Sequence, residues 1–186
     1  VLKNDGKPYT IYTPYKNKWL AQFNVNYDCK EYVVNHSAKK LYQVKNDFPS
    51  LAQLGFNKNN IVVKPFNLID LEKYEEKRDY PALEATSNLS PHLRFGTISV
   101  RKMVKMAIEV NQTFLSELIW REFFMQILYH FPRVVNGAFK VKYDLIRWEN
   151  NEQHFEAWCN GKTGYPMVDA GMRELKETGY MHNRVR

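Results

Sequence analysis

At 186 residues, with 44% hydrophobic and 15% aromatic residues, the chain can bury one well-formed core, which excludes a disordered segment. No apolar run approaches the roughly 20 residues that span a bilayer, and the start of the chain lacks the pattern of a secretion signal, so we expect no membrane partner and a cytoplasmic location. Cys29 and Cys159 lie far apart without metal-ligand spacing, which favours ordinary thiols and predicts no metal site.

The positive charge is unevenly distributed along the sequence. The net charge is +7, and residues 1–64, with ten lysines, no arginine and four acidic residues, hold +6 of it. All nine arginines lie at or after Arg78. A lysine surface attracts polyanions without selecting among them, whereas arginine binds phosphate in a bidentate geometry. We therefore expect the specific phosphate contacts in the second part of the chain.

The first third of the sequence predicts little regular structure. Residues 9–14 alternate aromatic and β-branched side chains up to a proline, which predicts a short strand or its exit. Residues 15–23 predict a helical turn or two. Residues 48–55 predict a short capped helix inside a connector that is rich in lysine and asparagine.

From residue 67 onward the spacing of apolar residues is helical. It predicts an amphipathic turn at 68–74, helices at 98–110 and 115–131, and a helical turn at 155–158. A last helix is expected to begin at Pro166 and to end at Gly179 in a left-handed turn. Two stripes are expected to face the core: Leu118, Phe124, Ile127, Leu128 and Phe131 in one helix, and Met167, Ala170, Met172 and Leu175 in the other. The predicted fold class is mainly α.

Glu117, Trp120 and Arg121 are candidates for a binding site on the strongest predicted helix. Glu117 and Arg121 are four residues apart and share a face, so an ordinary ion pair beside a half-buried tryptophan is one interpretation. The other is a carboxylate, an indole plane and a guanidinium that converge on a planar ligand.

Two polar segments allow the same pair of interpretations. The hydroxyl-rich residues 86–90 precede Pro91, so they either cap a helix or hold a phosphate at the helix start. His182, Asn183, Arg184 and Arg186 either cap a helix start and face solvent or contact a DNA backbone. The five histidines show no zinc spacing.

Four blocks, in this order, resemble the FAD-binding helical domain of the DNA photolyase/cryptochrome family. They are Arg-Asp-Tyr-Pro-Ala at 78–82, Thr-Ser-Asn-Leu-Ser-Pro-His-Leu-Arg-Phe-Gly at 86–96, Glu-Leu-Ile-Trp-Arg-Glu-Phe at 117–123, and residues 163–186. Residues 7–19 are similar to the end of the family's N-terminal α/β antenna domain. The resemblance covers nearly the whole chain, and it is strongest to class I cyclobutane pyrimidine dimer photolyases.

The resemblance implies a division of the chain. Residues 1–20 would be a remnant of the antenna domain, residues 21–66 an extended interdomain linker, and residues 67–186 the N-terminal portion of a truncated FAD-binding domain. In the family, further residues around the flavin ring come later in the chain than Arg186. We therefore expect residues 1–186 alone to bind FAD weakly or not at all. The antenna pigment is not identified by the sequence.

The resemblance also assigns roles to individual residues. FAD would be bound by Tyr74, Thr86, Ser87, Asn88, Leu89, Ser90 and Arg121, with residues 86–90 at its diphosphate. Trp120 would stack on a flipped pyrimidine dimer, Glu117 would hydrogen-bond its base, and Trp148 would be the surface tryptophan of an electron-transfer chain. DNA contacts are expected from Arg78, Glu117, Trp120, Arg121, Asn183, Arg184 and Arg186.

The implied activity is light-driven repair of cyclobutane pyrimidine dimers in damaged DNA, by electron transfer from reduced FAD, in a monomeric full-length protein. A cryptochrome-type blue-light receptor on the same fold is the alternative. Glu117, Trp120 and Asn183 together favour repair, since a receptor needs no dimer-binding pair. A third hypothesis is a basic helical nucleic-acid-binding module without a cofactor, which would not need the hydroxyl cluster at 86–90.

Overall fold

Helices form the architecture of this chain in the computed structural model, which describes residues 1–32, 42 and 47–186. Within these residues the α-helices are α1 (Tyr12–Gln22), α2 (Val25–Asp28), α3 (Tyr74–Lys77), α4 (Leu89–Phe95), α5 (Val100–Val110), α6 (Gln112–His130), α7 (Glu152–Cys159) and α8 (Pro166–Thr178). Short 3-10 helices lie at Leu71–Lys73, Pro132–Val135 and Val141–Leu145. The only β-pairing in the described part is an isolated bridge between Leu2 and Pro8, so the mainly α fold class is confirmed. No helix in that part is both long enough and apolar enough to cross a membrane.

The core is built around α6, against which α1, α3 and α5 pack. Its buried side chains are Phe114, Leu115, Leu118, Ile119 and Phe123. The predicted stripe was wrong about Phe124 and Leu128, which are 62% and 50% exposed. Because α6 carries apolar side chains around most of its circumference, spacing alone does not select the inward face. The inward face of α6 is determined by the helices that pack against it.

The predicted strand at 9–14 was wrong, because α1 already begins at Tyr12. Pro14 is the third residue of this helix, where a missing N–H costs no helical hydrogen bond. The helical turns predicted at 15–23 are confirmed as part of α1. The fully buried Tyr15 donates a hydrogen bond to Glu122 Oε1 at 2.9 Å, and the Trp19 indole donates to Oε2 at 2.9 Å. Residues 12–22 therefore share the core of α6, and the division of the chain near residue 20 stays a prediction.

The predicted helix at 48–55 was also wrong. Ser50 and Gln53 exchange side-chain-to-backbone hydrogen bonds at 2.7 and 3.3 Å, as in a capping box, but only turns follow. Phe48, Leu51 and Leu54 are exposed. A single helical turn without a buried apolar face does not repay the cost of helix nucleation.

α8 has the predicted ends but not the predicted face. It begins at Pro166 and ends at Gly179, whose φ of 70° is left-handed. Of the predicted stripe only Met172 is buried; the other buried residues of α8 are Asp169 and Gly171. Asp169 accepts hydrogen bonds from the Thr163 N–H at 2.8 Å, the Thr163 hydroxyl at 2.6 Å and the Gly164 N–H at 3.0 Å. These hydrogen bonds direct the side of α8 that carries Asp169 toward the interior.

Candidate functional site

Five of the predicted site residues meet around one cavity of about 170 Å³. Its lining residues are Tyr74, Arg78, Asp79, Glu117, Asn183 and Arg184. They come from α3 and the two residues after it, from α6, and from the segment after α8. Packing of α3 on α6 explains why residues so far apart in sequence share a cavity.

Four charged side chains of this cavity form a row of alternating sign. Glu117 accepts a hydrogen bond from the Arg78 guanidinium in an ion pair. Arg78 Nε lies 3.5 Å from Asp79 Oδ1, and the same oxygen accepts from Arg184 Nε at 2.7 Å. We call Glu117, Arg78, Asp79 and Arg184 the charged row. Two carboxylates and two guanidiniums balance, so the row has no net charge at neutral pH.

The local ion pair between Glu117 and Arg121 is not formed. Glu117 pairs with Arg78 instead, and Arg121 donates to the backbone carbonyl of Leu93 at 3.3 Å. Partial burial opposes the charge of Arg78, but the hydrogen bond and the attraction of Glu117 outweigh it and raise the pKa of Arg78. Glu117 is therefore directed at the cavity and not along its own helix.

Tyr74 forms the floor of the cavity. Its ring packs edge to face on Phe114 with centroids 5.2 Å apart, and the Arg78 guanidinium lies 5.8 Å from its centroid. Burial, together with the negative charge of Glu117, raises the pKa of the Tyr74 phenol above its ordinary value. Tyr74 thus stays a neutral hydrogen-bond donor at physiological pH.

The segment after α8 is held in place by His182. His182 is 5% exposed, its backbone N–H donates to Glu174 Oε2 at 3.2 Å, and its ring Nδ1 accepts from the Arg184 backbone N–H at 3.1 Å. These bonds place Asn183 and Arg184 on the cavity wall. Arg186 is not among the lining residues; it donates to the Met181 carbonyl at 3.4 Å.

The residues at 86–90 are divided between two depressions. Thr86 and Ser87 line a small pocket with Tyr74, while Asn88 and Ser90 line a groove of about 340 Å³. Tyr180 joins the two, since it also lines the groove and its hydroxyl donates to Thr86 Oγ1 at 3.2 Å. Leu89 as a whole is buried in the core, so a ligand could reach only the other residues of this turn.

The start of α4 does not support the interpretation of residues 86–90 as a helix cap. Asn88 precedes the helix with a left-handed φ of 53°, and its side chain accepts no capping hydrogen bond. The Ser87 and Ser90 hydroxyls and the N–H groups at this helix start are therefore available to a ligand, whereas the Thr86 hydroxyl is bonded to Tyr180.

Trp120 lies away from the cavity. Its indole stacks on the Tyr12 ring, with centroids 3.5 Å apart and planes 8° apart, and its centroid is 5.4 Å from that of Phe124. α1 therefore covers a face of the tryptophan that was predicted to meet a pyrimidine dimer. Trp148 lies on the surface, 72% exposed, as its predicted position requires.

Sequence reasoning gave no role to Asp79 or Tyr12. Asp79 stands beside Arg78 in the sequence, but its partner Arg184 follows 105 residues later, and no spacing rule connects them. Tyr12 was predicted to lie in or beside a strand, so its contact with Trp120 could not be anticipated. Among the residues described, no group of three or more His, Cys, Asp or Glu is arranged to hold a metal ion.

Comparisons with known proteins agree on one family. The family model described as the FAD binding domain of DNA photolyase matches residues 114–186. A deoxyribodipyrimidine photo-lyase of Halobacterium salinarum is 35% identical over 211 residues, covering 100% of this chain and 44% of the relative. The chain thus spans less than half of the length of that protein.

Solved structures give the same result. A bacterial class III photolyase from Agrobacterium tumefaciens superposes with a TM-score of 0.76 at 32% identity, covering 100% of this chain and 43% of the other. An archaeal photolyase from Sulfolobus tokodaii, whose structure holds two FAD molecules, gives a TM-score of 0.58 at 50% identity, covering 60% of this chain and 26% of the other.

Proposed function

Because this chain belongs to the DNA photolyase/cryptochrome family, we propose that its protein is a deoxyribodipyrimidine photo-lyase that uses light to repair cyclobutane pyrimidine dimers in DNA. The observation that carries the proposal is the cavity at which Tyr74, Arg78, Glu117, Asn183 and Arg184 meet. The partly buried carboxylate of Glu117 suits a flipped base, and the more exposed guanidinium of Arg184 suits the phosphate backbone beside it.

The proposed cofactor is FAD, and the turn at 86–90 suits its diphosphate. Thr86, Ser87 and Ser90 supply hydroxyls, and the uncapped start of α4 leaves backbone N–H groups for an anion. The groove of about 340 Å³ is small for a whole dinucleotide, so these residues would form one wall of its site. Reduced FAD would supply the photoexcited electron, and the chain's own residues would bind the cofactor and orient it relative to the dimer.

Glu117 is proposed to hydrogen-bond the flipped pyrimidine. Its contact with Arg78 uses Oε1, which leaves Oε2 to accept from a base N–H. Its side chain is 32% exposed, so a base can reach it and still be largely removed from water. Asn183, which also lines the cavity, can accept a hydrogen bond from the same base or donate one to it.

Trp120 and Trp148 keep their proposed roles on different grounds. For Trp120 to stack on a dimer, the ring of Tyr12 has to leave the indole face that it now covers. For Trp148, exposure at the surface suits exchange of electrons with solvent reductants. Arg121, bonded to the Leu93 carbonyl, would hold α4 and its phosphate turn against α6.

The test is blue-light repair of an oligonucleotide that contains one thymine dimer, by the full-length protein. Wild type is expected to repair it, and Glu117→Gln to lower the repair yield per bound dimer by about tenfold, because the amide lacks the charged acceptor that orients the flipped base for electron transfer. Glu109→Gln, on the exposed side of α5, is the matched control and should repair as wild type. Dimer binding without any repair by wild type would contradict the proposal.

The receptor alternative is distinguished by the same experiment. A cryptochrome-type receptor would bind flavin and show no light-dependent repair with any variant. A cofactor-free nucleic-acid-binding module would purify without flavin, and Ser87→Ala together with Ser90→Ala would then change nothing in its absorption spectrum.

A further inference from the structure

Asp79 occupies the centre of the charged row, and the repair chemistry proposed above gives it no task. We propose that Asp79 is a specificity-determining residue, which keeps Arg184 from binding the phosphates of undamaged DNA until a flipped base occupies the cavity. This inference rests on the proposed function, because it requires a base that enters the cavity and meets Glu117.

Arg184 contacts Asp79 through one edge of its guanidinium. Arg184 Nε and one terminal nitrogen lie 2.7 and 2.5 Å from Asp79 Oδ1. This Nε edge is one of the edges through which a guanidinium binds phosphate in a bidentate manner. Arg184 can therefore offer that edge to Asp79 or to a DNA phosphate, but not to both.

The pair of Asp79 and Arg184 is exposed to solvent. The side chains of Asp79 and Arg184 are 47% and 52% exposed, so the pair lies at the rim of the cavity in contact with water. An exposed pair is weak enough for a well-placed phosphate to replace the carboxylate. Asp79 thus acts as a competitor within the protein and not as a permanent anchor.

Asp79 has a second partner, Arg78. Arg78 Nε lies 3.5 Å from the same Oδ1, while the other end of its guanidinium is engaged with Glu117. When a flipped base donates to the free Oε2 of Glu117, the negative charge that this carboxylate offers to Arg78 falls, and the Arg78 guanidinium can move toward Asp79. Arg184 is then released toward the DNA backbone.

The charged row therefore couples two events. Undamaged duplex puts no base on Glu117, so Arg78 stays with Glu117 and Asp79 keeps Arg184. A dimer duplex fills the cavity, shifts Arg78 and frees Arg184. Arg184 therefore contacts a phosphate only when the duplex contains a dimer. This contact increases the ratio of the affinity for damaged DNA to the affinity for undamaged DNA.

The experiment measures the affinity of the full-length protein, in the dark, for a short duplex with one thymine dimer and for the same duplex undamaged, over a range of salt concentrations. Asp79→Asn should raise the affinity for undamaged duplex about fivefold and steepen its salt dependence by about one phosphate contact. The affinity for the dimer duplex should change by less than about twofold. Asp79→Glu, which keeps the charge, should behave as wild type.

Asp5→Asn is the matched control, because it makes the same change in net charge at an exposed carboxylate that lies 3.9 Å from Lys7 Nζ outside the cavity. It should change the affinity for both duplexes by the same small factor. An Asp79→Asn variant that raises both affinities equally, as the control does, or that weakens binding of the dimer duplex, overturns the inference.

Arg184→Gln tests the inference independently of the folding of Asp79 variants. It should weaken binding of the dimer duplex about fivefold, with a salt slope lower by about 1, and leave the undamaged duplex almost unchanged. Equal weakening of both duplexes overturns the inference. A wild type that does not prefer the dimer duplex contradicts the proposed function itself, which separates the two failures.

Discussion

At the residue scale, Asp169 shows how one carboxylate organises a loop. It is buried, yet it accepts three hydrogen bonds from Thr163 and Gly164, so its burial is compensated by donors. The hydrogen bond from the Thr163 side chain lowers the pKa of Asp169 most; burial opposes this shift, and the backbone bonds from Thr163 and Gly164 reinforce it. The loop before α8 thus depends on an ionised side chain.

A dependence of stability on pH follows from this direction. Because the folded pKa lies below the unfolded value of about 3.9, the contribution of Asp169 is complete above about pH 4 and is lost as the pH falls through the folded pKa. Asp169→Asn should therefore be less stable than wild type at about pH 7, and the difference should shrink toward about pH 3. Thermal unfolding at both pH values measures it. Asp70→Asn, at an exposed pair, should show no comparable change; a difference for Asp169→Asn that is constant with pH would contradict the assignment.

At the element scale, α1 is held on α6 by a carboxylate between two aromatic donors. Tyr15 and Trp19 belong to α1, and Glu122 of α6 accepts from both. The same surface of α1 carries Tyr12, whose hydroxyl donates to the Ser116 carbonyl at 2.8 Å. Polar bonds therefore fix the register of two helices whose apolar side chains alone would allow sliding.

Glu122→Ala should lower the free energy of unfolding by about 2 kcal/mol, because the buried Tyr15 and Trp19 lose their shared acceptor, which water at this exposed position replaces only in part. Urea unfolding checks this value. Glu122→Gln retains one acceptor oxygen and should lose about half as much. Glu109→Ala, on the exposed side of α5, is the control, and a loss no larger than its own would show that the carboxylate does not hold α1.

At the scale of the whole molecule, lysine and arginine lie in different settings, and we expect them to contribute differently to the proposed binding of DNA. The lysines of residues 1–64 include Lys58, which is exposed, whereas the arginines near the cavity are in ion pairs. Exposed lysines raise the local concentration of DNA without regard to its state. Paired arginines respond only when their carboxylates are displaced.

Lys58→Gln should therefore weaken binding of damaged and undamaged duplex by the same factor, about twofold or less at low salt, because it removes one unspecific attraction. Titrations of both duplexes give the ratio of the two affinities, which should not change. A ratio that moved with Lys58 would place specific recognition in the first third of the chain. Asn57→Gln, on the neighbouring exposed residue, controls for substitution at this place.

The ends of helices could be predicted from the sequence better than the side of each helix that faces the core. Pro166 and Gly179 mark the ends of α8 through backbone geometry, which is local, and both ends are confirmed. The inward side of α6 depends on which helices pack there, since α6 is apolar around most of its circumference, and the inward side of α8 follows the hydrogen bonds of Asp169. Among site residues, Glu117 and Asn183 could be found from motifs, but the ion pair of Glu117 with Arg78 could not, since Arg121 offered an equally plausible local partner. Whether these residues bind FAD and DNA stays a prediction.

The stacked rings of Tyr12 and Trp120 have an optical consequence. Two nearly parallel aromatic rings at 3.5 Å couple electronically and are fixed in a chiral setting. Such a pair gives a near-ultraviolet circular dichroism band that disappears when the rings separate. The band would report, without any label, the moment at which the indole face of Trp120 becomes available to another planar molecule.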